Sequence, residues 1–283
     1  MATFIAMIKG IISSMLKWIT PPPLVLSNGK VVRPAISAMW IIVPIITFLT
    51  LWSVSMTRFR LYMLFSRGEQ FFVIVGRMIP PNLAYFDKIV NPMISTILMS
   101  LVGTIIGAGL ALPFAYASSE LNQSKIGKFI VRAFFSIART LPVLVLALLA
   151  MIVFGAGALA GTVAISIFTF TIMVKMFFEL IDTADMGPFE AILSSGASRI
   201  QAFWTSIMPQ LWGQYYSLTL YNLEMNIRNA AILGYVGAGG IGIVLAERLA
   251  WRVYPDVGLI LLVLMITVLV IESISREIRR RLL

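Results

Sequence analysis

The sequence predicts an all-α integral membrane protein with about six transmembrane helices. Three observations predict it. Of 283 residues, 59% are hydrophobic and only 12% are charged, far less polar surface than a soluble domain of this size needs. Several continuous apolar runs approach the roughly 20 residues that cross a bilayer as a helix. The basic residues, which give a net charge of +10, cluster just outside those runs, as juxtamembrane charge does. Strands of a β-barrel would show short alternating segments instead.

The elements follow in order. In residues 1–35, Phe4, Ile5, Ile8, Ile11, Ile12, Met15, Leu16 and Ile19 recur at helical spacing. This reads as a helix lying on the membrane surface, stopped by Pro21, Pro22 and Pro23 and followed by a linker. Lys9 interrupts its apolar run and no small-residue cleavage site follows, so it is not read as a signal peptide. The first span is expected at 36–57, with an extracytoplasmic loop reaching residue 93. The second, 94–117, carries Gly103-x-x-x-Gly107, a spacing that lets helices approach closely. The third is expected at 136–155, entered through Arg139-Thr140-Leu141-Pro142 and closed by the turn GAGALAG. The fourth is expected at 162–181, the fifth at 213–235 and the sixth at 257–274, ending at REIRRR.

Six spans put both termini on one side. That side would hold Lys125, Lys128, Arg132, Arg199 and the C-terminal arginines, and its richer basic content marks it as cytoplasmic. The 58–93 loop, with Arg58, Arg60, Arg67, Arg77 and Lys88, is basic for an outside loop.

Several chemistries are excluded. With no cysteine and no histidine, the chain has no disulfide, no Cys/His zinc site and no Ser-His-Asp triad. The carboxylates form no pair at a spacing suited to acid/base or metal work, so no catalytic residue, metal site or cofactor is expected and the chain is not read as an enzyme. There is no G-x-x-x-x-G-K-[ST], so ATP cannot be cradled by that loop. The basic residues lack the interleaved aromatics of a nucleic-acid surface.

Three stretches stand out. Residues 190–211, EAILSSGASRIQAFWTSIMPQL, are polar enough to leave the membrane. Pro188 and Glu190 suit a helix N-terminus, and Gly196 breaks the run. A second helical piece, Ser198 to Met208, is expected to end at Pro209. Ala191, Ala197 and Ala202 are small enough for another protein to approach, and Phe203, Trp204 and Ile207 could anchor the knob to membrane or partner. The plainer alternative is an ordinary interfacial loop.

The second stretch is the fifth span, which carries Tyr221, Asn222, Glu224, Asn226, Arg228 and Asn229. Glu224 and Arg228 share a helix face. An Arg near the bilayer centre costs on the order of 2.5–3.5 kcal/mol, so it faces a bundle interior or water. It forms either an intrahelical ion pair that locks packing or a polar wall of a path, with Arg228 offering positive potential to an anion. The third stretch, GAGGIG at 237–242, satisfies G-x-G-x-x-G. A dinucleotide fold needs a preceding strand, and here a span precedes it. Gly237, Gly239, Gly240 and Gly242 are read instead as a sharp bend near the outer mouth of a path, at a gate.

The stretch 190–209 resembles the loop shared by permeases of binding-protein-dependent ABC importers: E-A-A, three residues, G, nine residues, I, one residue, L, P. Glu190, Ala191, Gly196 and Pro209 fall in register; Ile192, Ser206 and Met208 depart. With TLYNLEMNIRNAAILGYVGAGGIG at 219–242 and RTLPVLVLALL at 139–149, residues from about 90 onward resemble the phosphonate-transport permease subfamily. The resemblance implies a type I ABC importer permease core over 94–283. Its loop 190–209 would dock in a groove of a cytoplasmic ATPase, with Glu190 as anchor and Gly196 as hinge. It implies ATPase subunits that bind ATP-Mg, an extracytoplasmic substrate-binding protein and a second permease copy, as a homodimer, in a prokaryotic cell membrane. The substrate would be phosphonate or a related small phosphorus oxyanion. Phosphate, phosphite and methionine are alternatives, and a solitary secondary transporter is a more distant one. Such transporters show inverted repeats, and the 190–209 pattern has no second copy.

Overall fold

The structure is a computed structural model and describes residues 24–25, 29, 31–32, 39–57 and 61–282. The chain divides into two compact units, residues 1–71 and 72–283. In the first, Leu24–Val25 and Val31–Val32 form a minimal antiparallel ladder. Helix α1, Met39–Met56, is apolar, and the hydroxyls of Thr47 and Thr50 return to the carbonyls of Val43 and Ile46. The expected surface helix within residues 1–23 lies outside the described residues. Between 58 and 93, read as a loop, the structure has helix α2, Leu61–Arg77, and the start of α3.

The second unit is built on α3 (Phe86–Ser118) crossing α6 (Ala158–Ile181). The glycine spacing explains the crossing. A Cβ on Gly103 would lie 2.7 Å from Cγ2 of Ile165, and one on Gly107 would lie 2.6 Å from the Ser166 carbonyl. Only hydrogen at both positions lets the two backbones come this close.

The expected third span is not one helix. Of the expected 136–155, only Val143–Phe154 forms the apolar helix α5; its first residues are the end of a separate helix α4, Lys125–Ala138, and the two are bent by 89°. Pro142 is the N-cap of α5, and a proline disfavours helical geometry at the residue before it. Helix α4 is capped by Ser124, whose hydroxyl accepts from the Gly127 N–H at 3.0 Å. It buries Phe135, which meets Phe114 and Phe170 edge-on.

Next come α7 (Gly187–Ser194), α8 (Arg199–Ala202), a π turn (Phe203–Ile207), α9 (Met208–Leu233), α10 (Ile241–Ala250) and α11 (Tyr254–Leu282). Pro209 does not end a helix, as the sequence suggested. It sits at the start of α9, directly after the π turn, an irregularity of the kind found where a helix departs from its regular hydrogen-bond ladder. The wider π turn carries the chain from α8 into α9 without a break.

Among the described residues, three helices are long and apolar enough to cross a membrane: Leu83–Ser118, Ala158–Ile181 and Tyr254–Leu282. There are up to five such spans if each bent pair counts as one: α4 with α5, and the Arg199–Val236 helix with α10. Within the first unit, Ile42–Met56 is a shorter apolar helix.

Candidate functional site

The loop 187–209 is held between two elements of the bundle. Helix α7 begins with Pro188 in its first turn and Glu190 beside it, a carboxylate where the helix dipole favours negative charge. Gly196 adopts φ +89°, a left-handed geometry that favours glycine. Ser198 then opens α8 with a reciprocal capping box to Gln201. Glu190, Ala191, Gly196 and Pro209 are all exposed.

The inner side of the loop is different. Phe189, Ala202, Phe203 and Ile207 are buried in a core with Phe177, Ile181 and Tyr215. Ala202, Phe203 and Ile207 therefore face their own bundle and not a membrane or partner, while Trp204 stays exposed. The Ser206 hydroxyl returns to the Ala202 carbonyl at 2.6 Å, and in the π turn Ile207 is fully buried.

Polar ties fix the loop's position. Gln210 donates to the Asp185 carbonyl and accepts from the Asp185 N–H, both at 3.2 Å. Arg199 donates to the Leu121 carbonyl at 3.2 Å. Beneath it, Arg132 of α4 pairs with Asp182 at 2.7 Å and with Glu120 at 3.3 Å, and its Nε donates to the Ser118 carbonyl. Asp182 also accepts from the Glu120 N–H at 2.7 Å. Lys128 bonds the Glu120 carboxylate. That bond, with the positive charges of Lys128 and Arg132, holds Glu120 below the usual carboxylate range. The sequence shows these residues only as basic and acidic flanks; nothing in their spacing joins Arg132 to Asp182.

In α9, Asn226 is fully buried and donates to Thr104 Oγ1 of α3 (2.8 Å) and Thr169 Oγ1 of α6 (2.7 Å). It joins three helices. Interhelical bonds of this kind are worth about 0.6–2 kcal/mol each at most. Asn226→Ala should lower the thermal midpoint of the detergent-purified chain by more than Thr104→Val or Thr169→Val alone. Three equal midpoints would show that the amide carries no shared load.

Glu224 is also buried, and its closer partner is not Arg228. Arg279 of α11 donates to Glu224 Oε1 at 2.7 Å, whereas Arg228 stands 4.0 Å from Oε2. The i,i+4 spacing points to the weaker contact and misses the stronger one. Arg228 is exposed, as are Tyr221 on α9 and Tyr235 in the turn just beyond its end.

The glycine motif closes the other end of α9. Gly237, Gly239 and Gly240 have φ of +83°, +92° and +70°. The Gly157 N–H donates to the Gly237 carbonyl at 3.0 Å, so the 155–157 and 237–240 turns meet. Thr96 Oγ1 accepts from the Ile241 N–H at 2.7 Å. Gly242 lies in α10 against the backbone of Ala231 and Gly234.

Comparison with known proteins agrees with this architecture. Over residues 103–282 the chain matches the family described as binding-protein-dependent transport system inner membrane component. It is 30% identical over 217 residues to the phosphate-import permease protein PhnE of Mycolicibacterium smegmatis, covering 76% of this chain and 41% of that protein. It is 29% identical over 208 residues to the phosphite transport system permease protein PtxC of Stutzerimonas stutzeri, covering 73% and 76%. The match thus spans less than half of the first relative and about three quarters of the second. In fold it is similar to a chain of the MetNI methionine ABC transporter in inward-facing conformations, with a TM-score of 0.62 at 21% identity, covering 71% of this chain and 99% of that one. With nearly two thirds of its length matched by the family model, the chain belongs to the family of inner membrane components of binding-protein-dependent transport systems.

Proposed function

We propose that the chain forms the translocation path of an ATP-driven importer for a small phosphorus oxyanion: phosphonate, phosphite or phosphate. One observation carries the mechanism. The exposed residues of the loop, Glu190, Ala191 and Gly196, are joined through α8 and the part-buried π turn to α9, the polar helix that bears Glu224 and Arg228. A push on the loop therefore reaches the helix that lines the path. The pusher is an ATPase subunit that holds ATP-Mg. The loop and both termini lie on the cytoplasmic side. Two copies of the chain enclose the path, and a substrate-binding protein delivers to the end closed by Gly237, Gly239, Gly240 and Gly242. The oxyanion class rests on the relatives' substrates and on the sign of Arg228.

The test is ATP hydrolysis by the permease reconstituted with its ATPase and binding protein, titrated with phosphonate, phosphite, phosphate and methionine. Stimulation by a phosphorus oxyanion and not by methionine is the expected result. Stimulation by methionine alone would reassign the substrate. A permease that brings down no ATPase on purification would overturn the importer mechanism.

A further inference from the structure

One buried carboxylate stands between two guanidiniums. Glu224 is 6% exposed at its side chain, Arg279 is 24% exposed and Arg228 is 45% exposed. A single negative charge neutralises one arginine, so the three groups together carry one net positive charge. The distances show which arginine is neutralised. Arg279 makes a charge-assisted hydrogen bond at 2.7 Å, while Arg228 stands at 4.0 Å, beyond hydrogen-bond reach. Among the described residues, no other carboxylate pairs with Arg228.

We propose that Arg279 is a positioning residue. By holding Glu224 from the neighbouring helix α11, it leaves the Arg228 guanidinium free to receive an oxyanion passing along α9. This rests on the oxyanion reading above. Without Arg279, Glu224 would be a buried charge lacking its partner, a costly state. Arg228 lies one helical turn away on the same face and is the nearest replacement. The carboxylate would then turn to Arg228 and compete with the substrate for it. The device explains why a helix meant to pass anions keeps a buried carboxylate: the carboxylate secures α11 to α9 without consuming the charge the substrate needs.

The experiment compares wild type, Arg228→Gln, Arg279→Gln and Glu224→Gln/Arg279→Gln in the reconstituted importer. The binding protein is saturated in turn with phosphonate, phosphite and phosphate. Uptake rate, substrate-free ATP hydrolysis and assembly by size exclusion are measured. Arg228→Gln and Arg279→Gln should each lower the uptake rate by about tenfold or more. The concentration of loaded binding protein at half-maximal rate should stay unchanged, because capture precedes entry. Glu224→Gln/Arg279→Gln should restore uptake, since the competing carboxylate is gone while Arg228 remains. A merely structural clamp gives the opposite: the double variant assembles and transports no better than Arg279→Gln. That result, or wild-type uptake by Arg279→Gln, overturns the positioning role alone. A wild-type importer that takes up none of the three anions overturns the oxyanion reading and the anion role together.

Discussion

Gly242→Ala is expected to lower the thermal midpoint of the purified permease steeply and to abolish transport with it. A Cβ at this position would overlap the Ala231 carbonyl oxygen and lie 2.8 Å from the Gly234 Cα. The contact is reciprocal, because a Cβ on Gly234 would strike the backbone of Gly242 and Ile243. Backbone atoms cannot rotate aside as a side chain does, so α10 would have to move away from the end of α9. That movement would open two core clusters, one containing Leu233 and the other Ala231, Ile241 and Ile260. Overpacking of this kind costs about 1–3 kcal/mol or more, a large part of the roughly 5–15 kcal/mol that holds a typical domain together. Gly109→Ala is the control. It also lies in a helix, but its Cβ would meet nothing within 4 Å, so the change should be neutral or gain up to about 1 kcal/mol of helix propensity. The measurement is the thermal midpoint in detergent beside uptake in cells. A Gly242→Ala protein with a normal midpoint but no uptake would mean that the contact opens during transport and belongs to a gate.

What the sequence made legible was written in local chemistry. The uninterrupted apolar runs gave α3, α6 and α11; their ends were less clear, since α3 begins at Phe86 and not at 94. Pro188, Glu190 and Gly196 carry their own conformational preferences, and α7 and the turn after it fall where those residues require. The break at Pro142 was harder. The run from Val143 to Phe154 is apolar throughout, and hydropathy does not register an 89° bend. Pairings between distant segments left no local trace. Arg279 is 55 positions from Glu224, and Thr104 is 122 from Asn226. Pro209 was ambiguous for a physical reason: proline suits both the residue after a helix and the first turn of one. Only the π turn, which carries Ser198–Gln201 on into α9, decides between them.

Arg132→Met is expected to uncouple ATP hydrolysis from the loaded binding protein while leaving the chain inserted and assembled. Methionine keeps much of the stem that packs beside Phe178, whose ring lies 4.6 Å from the guanidinium carbon, and it removes the charge. What is lost is the junction of three helices: the Ser118 carbonyl at the end of α3, the Asp182 carboxylate at the end of α6, and α4 itself. Asp182 would keep only the Glu120 N–H. Removing one partner from such a part-buried pair costs on the order of 1–3 kcal/mol, too little to unfold the bundle but enough to loosen the frame beneath the loop. The loop follows that frame directly, because Asp182 caps α6 and Asp185, three residues on, is tied to Gln210 at the start of α9. Arg132→Lys should rescue only in part, since a point charge cannot serve a carboxylate and a carbonyl with a fixed fork. Acid provides an independent check. Glu120 has its folded pKa lowered, chiefly by Lys128, so its contribution is complete above the ordinary carboxylate range and is lost only as pH falls through the lowered value. At neutral pH Glu120 is therefore charged, and uncoupling seen there does not come from its protonation. Full stimulation of ATP hydrolysis in Arg132→Met would show that the apolar contacts of Phe189, Phe203 and Ile207 carry the loop's motion without the ionic frame.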